Sequence, residues 1–195
     1  MDFRAWGRRI REYDEITNVG PIVRRYFVIG AFDGALTILG IIIGTVAAGA
    51  DESHKTIILS ASLGAGIALA VSSAVGAYEA ERVEKKLDVR SIERALLARL
   101  SEEHKEAFQF AAIVSALVHG VSPMIAALVP LIPFLFFDIR TATVVAIGLT
   151  LAILFVIGAY LGTLVRERLV VTGLRFVAAG LGTAVLLWLF GARPR

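Results

Sequence analysis

The sequence predicts an all-α polytopic membrane protein with five transmembrane helices, and three observations carry that prediction. Apolar runs of about 20 residues recur five times between Phe27 and Phe190, each long enough to cross the roughly 30 Å hydrocarbon core as a helix. Apolar residues fill 57% of the 195 positions and charged residues only 19%, where an average soluble domain holds about 45–50% and about 25%. Mean hydropathy is accordingly high, at +0.76. Only helices or closed barrels satisfy the backbone in lipid, and no alternating ten-residue pattern here suits a barrel.

The elements follow in order. Residues 1–26 carry Phe3, Trp6, Ile10, Tyr13 and Ile16 among arginines. This pattern predicts an amphipathic helix in the cytoplasmic headgroup layer, an anchor or alternatively a regulatory element. These residues are charged where a signal peptide would be apolar, so the first span reads as an uncleaved anchor. The membrane domain, 27–191, divides into spans at about 27–49, 57–79, 108–136, 141–164 and 172–191, followed by a tail, 192–195. The connection between spans two and three, 80–106, is the long one. From Glu79 to Glu106 it has eight acids and seven bases. Ile92, Leu96, Leu97 and Leu100 recur there at helical spacing, which predicts a short amphipathic helix. Ser101 followed by Glu102 and Glu103 predicts a further helix start.

Charge sets the orientation. The N-terminal segment, the linker and the connection between spans four and five together hold 16 of the 20 lysines and arginines, leaving four for the other side. By the positive-inside rule the N-terminus and linker are cytoplasmic and the C-terminus is outside. The net charge of +3 therefore reads as membrane topology, with no nucleic-acid partner. The chain has no cysteine, which excludes disulfides, thiolate metal sites and thiol catalysis.

Polar residues inside the spans are the functional candidates. Asp33 lies six residues into the first span, about 9 Å along the helix. A mid-span aspartate costs about 2.5–3.5 kcal/mol on insertion scales and is normally sheltered and functional. It is either an ion or proton site or a residue bonded locally. Gly30, Gly34, Gly40 and Gly44 form a small-residue stripe suited to close helix packing. In the second span Ser72, Ser73, Tyr78 and Glu79 offer oxygens near the cytoplasmic edge. Glu81 and Glu84, with Glu102, Glu103 and Glu106 of the linker, could capture a divalent cation or simply form a solvated face. His119, near the middle of span three, is a metal ligand, a proton shuttle, or a neutral residue bonded to a neighbouring helix. Pro123, Pro130 and Pro133 predict kinks, since each removes a backbone donor.

Three segments carry a resemblance: Gly-Ala-Phe-Asp-Gly-Ala at 30–35, Ser-Ser-Ala-Val-Gly-Ala-Tyr-Glu at 72–79, and Leu-Val-Pro-Leu-Ile-Pro-Phe-Leu at 128–135. In that order, at those places in their spans, they resemble the vacuolar iron transporter family over essentially residues 22–190. The resemblance implies a homodimer of five-helix protomers that moves ferrous iron or manganese out of the cytosol in exchange for protons, in a plasma or vacuole-type membrane. It implies no resident cofactor, the metal being cargo. Asp33 matches the family's first-span carboxylate. Tyr26, Ala65 and Ser73 stand where plant members carry an acid, a glutamate and a methionine, and the acidic metal-binding domain is reduced to the short linker. On this reading a cation gathers at the linker acids and Glu79, then reaches paired Asp33 groups. Ser73, Tyr78 and His119 complete its shell, and Asp33 or His119 carries the proton back. The alternative on the same fold is a non-transporting scaffold or a carrier of another small solute. Asp33-Gly34 also resembles the start of a head-group transferase motif, but one deep carboxylate is too few for that two-metal chemistry, so the chain reads as no enzyme.

Overall fold

The computed structural model describes residues 3–191, with side chains for 9–189. The side chains of Phe3 and Trp6 and the tail 192–195 lie outside the described residues. Among the described residues there are seven α-helices and no strand, and five stretches are long and apolar enough to cross a membrane.

Helix α1 covers Phe3–Thr17 and α2 covers Val19–Ala47. Between them Asn18 turns the chain at φ 47°, a left-handed conformation that asparagine tolerates better than most residues. The Asp14 carboxylate accepts from the Val19 amide (3.2 Å), satisfying one of the orphan donors at the start of α2. The first span therefore begins as helix at Val19, well before its apolar run, and Pro21 falls in the first turn, where its missing donor is harmless. Helix α1 does not present Tyr13 to lipid. The Tyr13 hydroxyl donates to Glu106 (2.7 Å) and the ring lies 5.5 Å from Phe110, so α1 straps onto the start of α4.

The second span departs most from expectation. Helix α3, Lys55–Leu96, runs unbroken for 42 residues, about 63 Å at 1.5 Å per residue, roughly twice the hydrocarbon thickness. The separate short helix predicted inside the linker does not exist. Nothing between Ala77 and His119 is glycine or proline, and the charged residues there are good helix formers that pair along the helix, Arg82 with Glu79 and Lys85 with Asp88. The turn comes only at Leu97, at φ 51°. Helix α4, Glu102–Leu128, then returns with Ser101 at its N-cap position. Its end passes through a 3₁₀ turn, Val129–Leu131, into a four-residue helix α5, Pro133–Phe136. Pro123 sits inside α4 without ending it, whereas Pro130 and Pro133 fall where the helix breaks and restarts. Helices α6, Ile139–Leu164, and α7, Leu169–Gly191, form a second hairpin.

At the end of the bundle opposite the linker, polar residues tie the turns together. Lys55 donates to the Phe137 carbonyl (2.6 Å) and the Glu52 carboxylate accepts from the Ile139 amide (2.7 Å). In the same turn, hydrogen bonds from the Ser53 hydroxyl, then from His54, pull the Asp51 carboxyl down to about 2.

Helices α2 and α4 form the centre. Their most apolar windows are 44% buried, against 17% to 28% for the other three spans. Lipid tails are as apolar as leucine, so packing within the membrane depends on close contact rather than on removal from water. The core is accordingly rich in small residues. Ala31 and Ala35 of α2 meet Ala126, Leu154 and Ile157, while Ile38 and Ile42 meet Ile58, Ala127, Phe134, Ala142 and Ala146.

Candidate functional site

The position of Asp33 follows from the sides of α2. Gly30 and Gly34 face α4: a Cβ on Gly30 would collide with the Ser122 hydroxyl and Pro123, and one on Gly34 with the Pro123 backbone. Ala31, Ala35, Ile38 and Ile42 face the core. Phe32 meets Phe176 of α7 edge-on at 5.1 Å. With 100° per residue, Asp33 falls on the remaining side, in line with Tyr26, Thr37 and Gly44. All four are half-buried, and a Cβ on Gly44 would meet nothing within 4 Å. Gly40 lies nearer α7, its Cβ position 3.5 Å from Leu187. Among the described residues no donor reaches the Asp33 carboxylate, and the Thr37 hydroxyl is turned back to the Asp33 backbone carbonyl (2.7 Å).

His119 approaches from α4. Its Nδ1 lies 3.1 Å from the Tyr26 carbonyl oxygen, and its ring is 5.0 Å from the Tyr26 ring. A carbonyl can only accept, so Nδ1 is the donor in this contact, and in the neutral tautomer that makes it the lone pair is on Nε2. Ser115 and Ser122, four residues before and three after, are buried with hydroxyls that have no hydrogen-bond partner among the described residues. They add polar atoms to the α4 wall beside the histidine.

Toward the linker end, Tyr26, Arg25 and Glu81 stand between Asp33 and the linker. Tyr26 lies seven residues from Asp33 on the same side of α2, about 10 Å along the axis. Arg25 stands 5.1 Å over the Tyr26 ring and donates to Glu81 (3.1 Å). Glu81 is only 4% exposed, so it belongs neither to a solvated face nor to an open capture site. In the sequence Arg25 is one of the N-terminal charges that set the topology, and Tyr26 stands where plant members of the family carry an acid. The seven-residue register to Asp33 was the available signal for Tyr26, while nothing local links Arg25 to a residue 56 positions away.

The other candidates lie apart. Glu79 is half-exposed and paired with Arg82 (2.8 Å), Glu102 with Lys105 (2.7 Å) and Glu106 with Arg9 (3.4 Å). Glu84 and Glu103 are exposed, Ser73 is half-buried, and Tyr78 lines a basic cleft between α3 and α4. Among the described residues no three His, Asp or Glu side chains converge as a metal site. Among the described residues the membrane interior therefore offers one carboxylate without a donor, one imidazole and several hydroxyls.

Two comparisons bear on this arrangement. A family model described as the VIT family matches residues 24–109 and again 89–192. An uncharacterized protein of Methanocaldococcus jannaschii is 37% identical over 169 residues, a stretch that covers 85% of this chain and 86% of the relative.

Proposed function

The chain belongs to the VIT family, whose members are membrane transporters of iron and manganese, and from that premise we propose that it carries ferrous iron or manganese out of the cytosol in exchange for protons. One observation carries the reading: inside the first span, on a side of α2 left partly open, Asp33 presents a carboxylate with no donor among the described residues. A carboxylate held there costs about 2.5–3.5 kcal/mol on insertion scales, and binding a cation offsets that cost.

A single Asp33 is a poor match for a hard dication, which takes about six oxygen ligands. A symmetric homodimer would bring two together, because a two-fold interface presents the same stripe from both sides. The chain would then neutralise the dication with two carboxylates, while Thr37 hydroxyls and water complete the shell. His119 Nε2 is a proton acceptor beside this path, and Asp33 can itself exchange its cation for a proton. The Arg25–Glu81 pair and the Tyr26–His119 contact lie between Asp33 and the linker end, so metal entry from the cytosol requires them to part.

The test is metal flux into proteoliposomes loaded with a metal-quenched dye, for the wild type and Asp33→Ala, with and without a pH gradient. The expected result is gradient-dependent manganese or ferrous flux that falls at least tenfold in the variant. Unchanged flux in Asp33→Ala would sink the mechanism. Folded wild-type protein that moves neither metal would favour a scaffold or a carrier of another solute.

A further inference from the structure

Where α3 extends beyond the membrane, it and the start of α4 enclose a cleft of about 470 Å³. Arg82, Lys85, Lys86, Arg90 and Lys105 line it, with Glu93 as the acid among them. Three of these cations have carboxylate partners: Arg82 with Glu79, Lys85 with Asp88 and Lys105 with Glu102. Lys86 and Arg90 have none among the described residues. Glu93 is engaged elsewhere, accepting from the Leu100 amide (3.0 Å) at the turn that joins the two helices.

The spacing adds a second argument. Arg82, Lys86 and Arg90 stand at successive i,i+4 positions, so they stack on one side of α3, and like charges at that spacing repel. A bound anion relieves that repulsion. The guanidinium of Arg90 offers a planar fork of donors and Lys86 a compact ammonium, a pairing suited to phosphate oxygens.

Depth narrows the ligand. The apolar part of α3, residues 57–78, is about 33 Å long and spans a hydrocarbon core of roughly 30 Å. Tyr78, at one end of the cleft, thus sits at the membrane boundary, Arg82, about 6 Å farther along the axis, lies at headgroup level, and Lys86 and Arg90, about 12 and about 18 Å beyond Tyr78, reach past it toward water. The lysine and arginine count makes this side cytoplasmic, the leaflet in which basic clefts meet anionic headgroups. Val89, Phe108 and Ala112 supply an apolar wall in the same cleft, and Lys85 is held 5.7 Å over the Phe108 ring.

We propose that this cleft binds a phosphate group, borne by an anionic phospholipid of the cytoplasmic leaflet or free in the cytosol. The proposal is independent of the transported metal and of Asp33.

The experiment uses the full chain in nanodiscs and in detergent. Retention of phosphatidylglycerol against phosphatidylcholine is read by native mass spectrometry, and inorganic phosphate is titrated into phosphatidylcholine nanodiscs by calorimetry. Wild type is compared with Lys86→Gln/Arg90→Gln, with the charge-keeping Lys86→Arg/Arg90→Lys, and with Arg166→Gln/Arg168→Gln on the α6–α7 turn. The expected result is at least tenfold preference for phosphatidylglycerol, or phosphate binding, that falls at least fivefold in Lys86→Gln/Arg90→Gln, by less in the charge-keeping pair, and not in Arg166→Gln/Arg168→Gln. Preference for the lipid alone identifies a headgroup site, and binding of inorganic phosphate with the same dependence identifies a site for the free anion. The proposal is overturned if wild type shows neither, if the neutralised pair binds as wild type does, or if the α6–α7 pair loses as much as the cleft pair.

Discussion

Among single residues, Glu81 and Arg25 are unequal partners, and the inequality can be measured. Glu81 is buried while the Arg25 side chain is 61% exposed. Removing the arginine leaves a desolvated carboxylate with its partner lost, whereas removing the charge on Glu81 leaves a guanidinium that water can still solvate. Leaving a charged group buried and unpaired costs more than losing a pair whose remaining member is wet. Arg25→Ala is thus expected to destabilise the protein by about 1–3 kcal/mol, and Glu81→Gln by clearly less. Thermal melting in detergent at neutral pH checks the order; equal shifts, or a larger one for Glu81→Gln, would show that the carboxylate is not sheltered as the structure has it. Legibility at this scale was uneven. Asp33 stood out because a charge in an apolar run is expensive wherever the run packs. Glu81 did not, because it lies in a run of mixed charges, and only a contact with Arg25, 56 positions away, decides that it is buried.

At the scale of helices, the contact of α2 with α4 fixes the frame around Asp33. It depends on two glycines whose hydrogens touch the stretch of α4 around Ser122 and Pro123. A Cβ on Gly34 would lie 2.7 Å from the Pro123 Cα, and backbone at that distance can yield only if the helices separate. Gly34→Ala is therefore expected to cost about 1–3 kcal/mol by overpacking. Gly148→Ala on α6, where a Cβ meets nothing within 4 Å, should cost nothing and can gain up to about 1 kcal/mol, alanine being the better helix former. Melting curves of the two variants decide it, and equal curves would mean that α2 and α4 are not in this contact. The stripe of glycines was readable in the sequence, but not its division. Gly30 and Gly34 serve α4, Gly40 lies toward α7 and Gly44 faces open space, because steps of four, six and four residues spread the four glycines over about 120° of the helix. The five spans were legible for a simpler reason: apolar length alone is sufficient in lipid. The unbroken α3 was hidden because composition marks where a helix leaves the membrane but not where it stops. The stop depended on the left-handed turn at Leu97, a residue with no turn preference.

At the scale of the whole molecule, the open side of α2 bears on oligomeric state. Tyr26, Asp33, Thr37 and Gly44 line one side of a central helix, yet remain only half-buried. Facing lipid, that stripe would expose a carboxylate and a hydroxyl to hydrocarbon, which membrane helices avoid. A second copy related by a two-fold axis would cover it with an identical stripe, since isologous contacts are self-complementary. The absence of cysteine makes this testable with one thiol at a time. Thr37→Cys and Gly44→Cys, oxidised gently in native-like bilayers, are expected to give a disulfide-linked dimer, because a disulfide needs Cβ atoms within about 4.5 Å. Val156→Cys, on an exposed side of α6 (64% exposed), should give none above the background of random collision. Manganese added before oxidation should slow the Thr37→Cys reaction if the ion sits between the two Asp33 groups, one helical turn away. Cross-linking through Val156 but through neither Thr37 nor Gly44 would place the interface on another helix, and each Asp33 would then have to hold a metal without its twin, which one carboxylate does poorly.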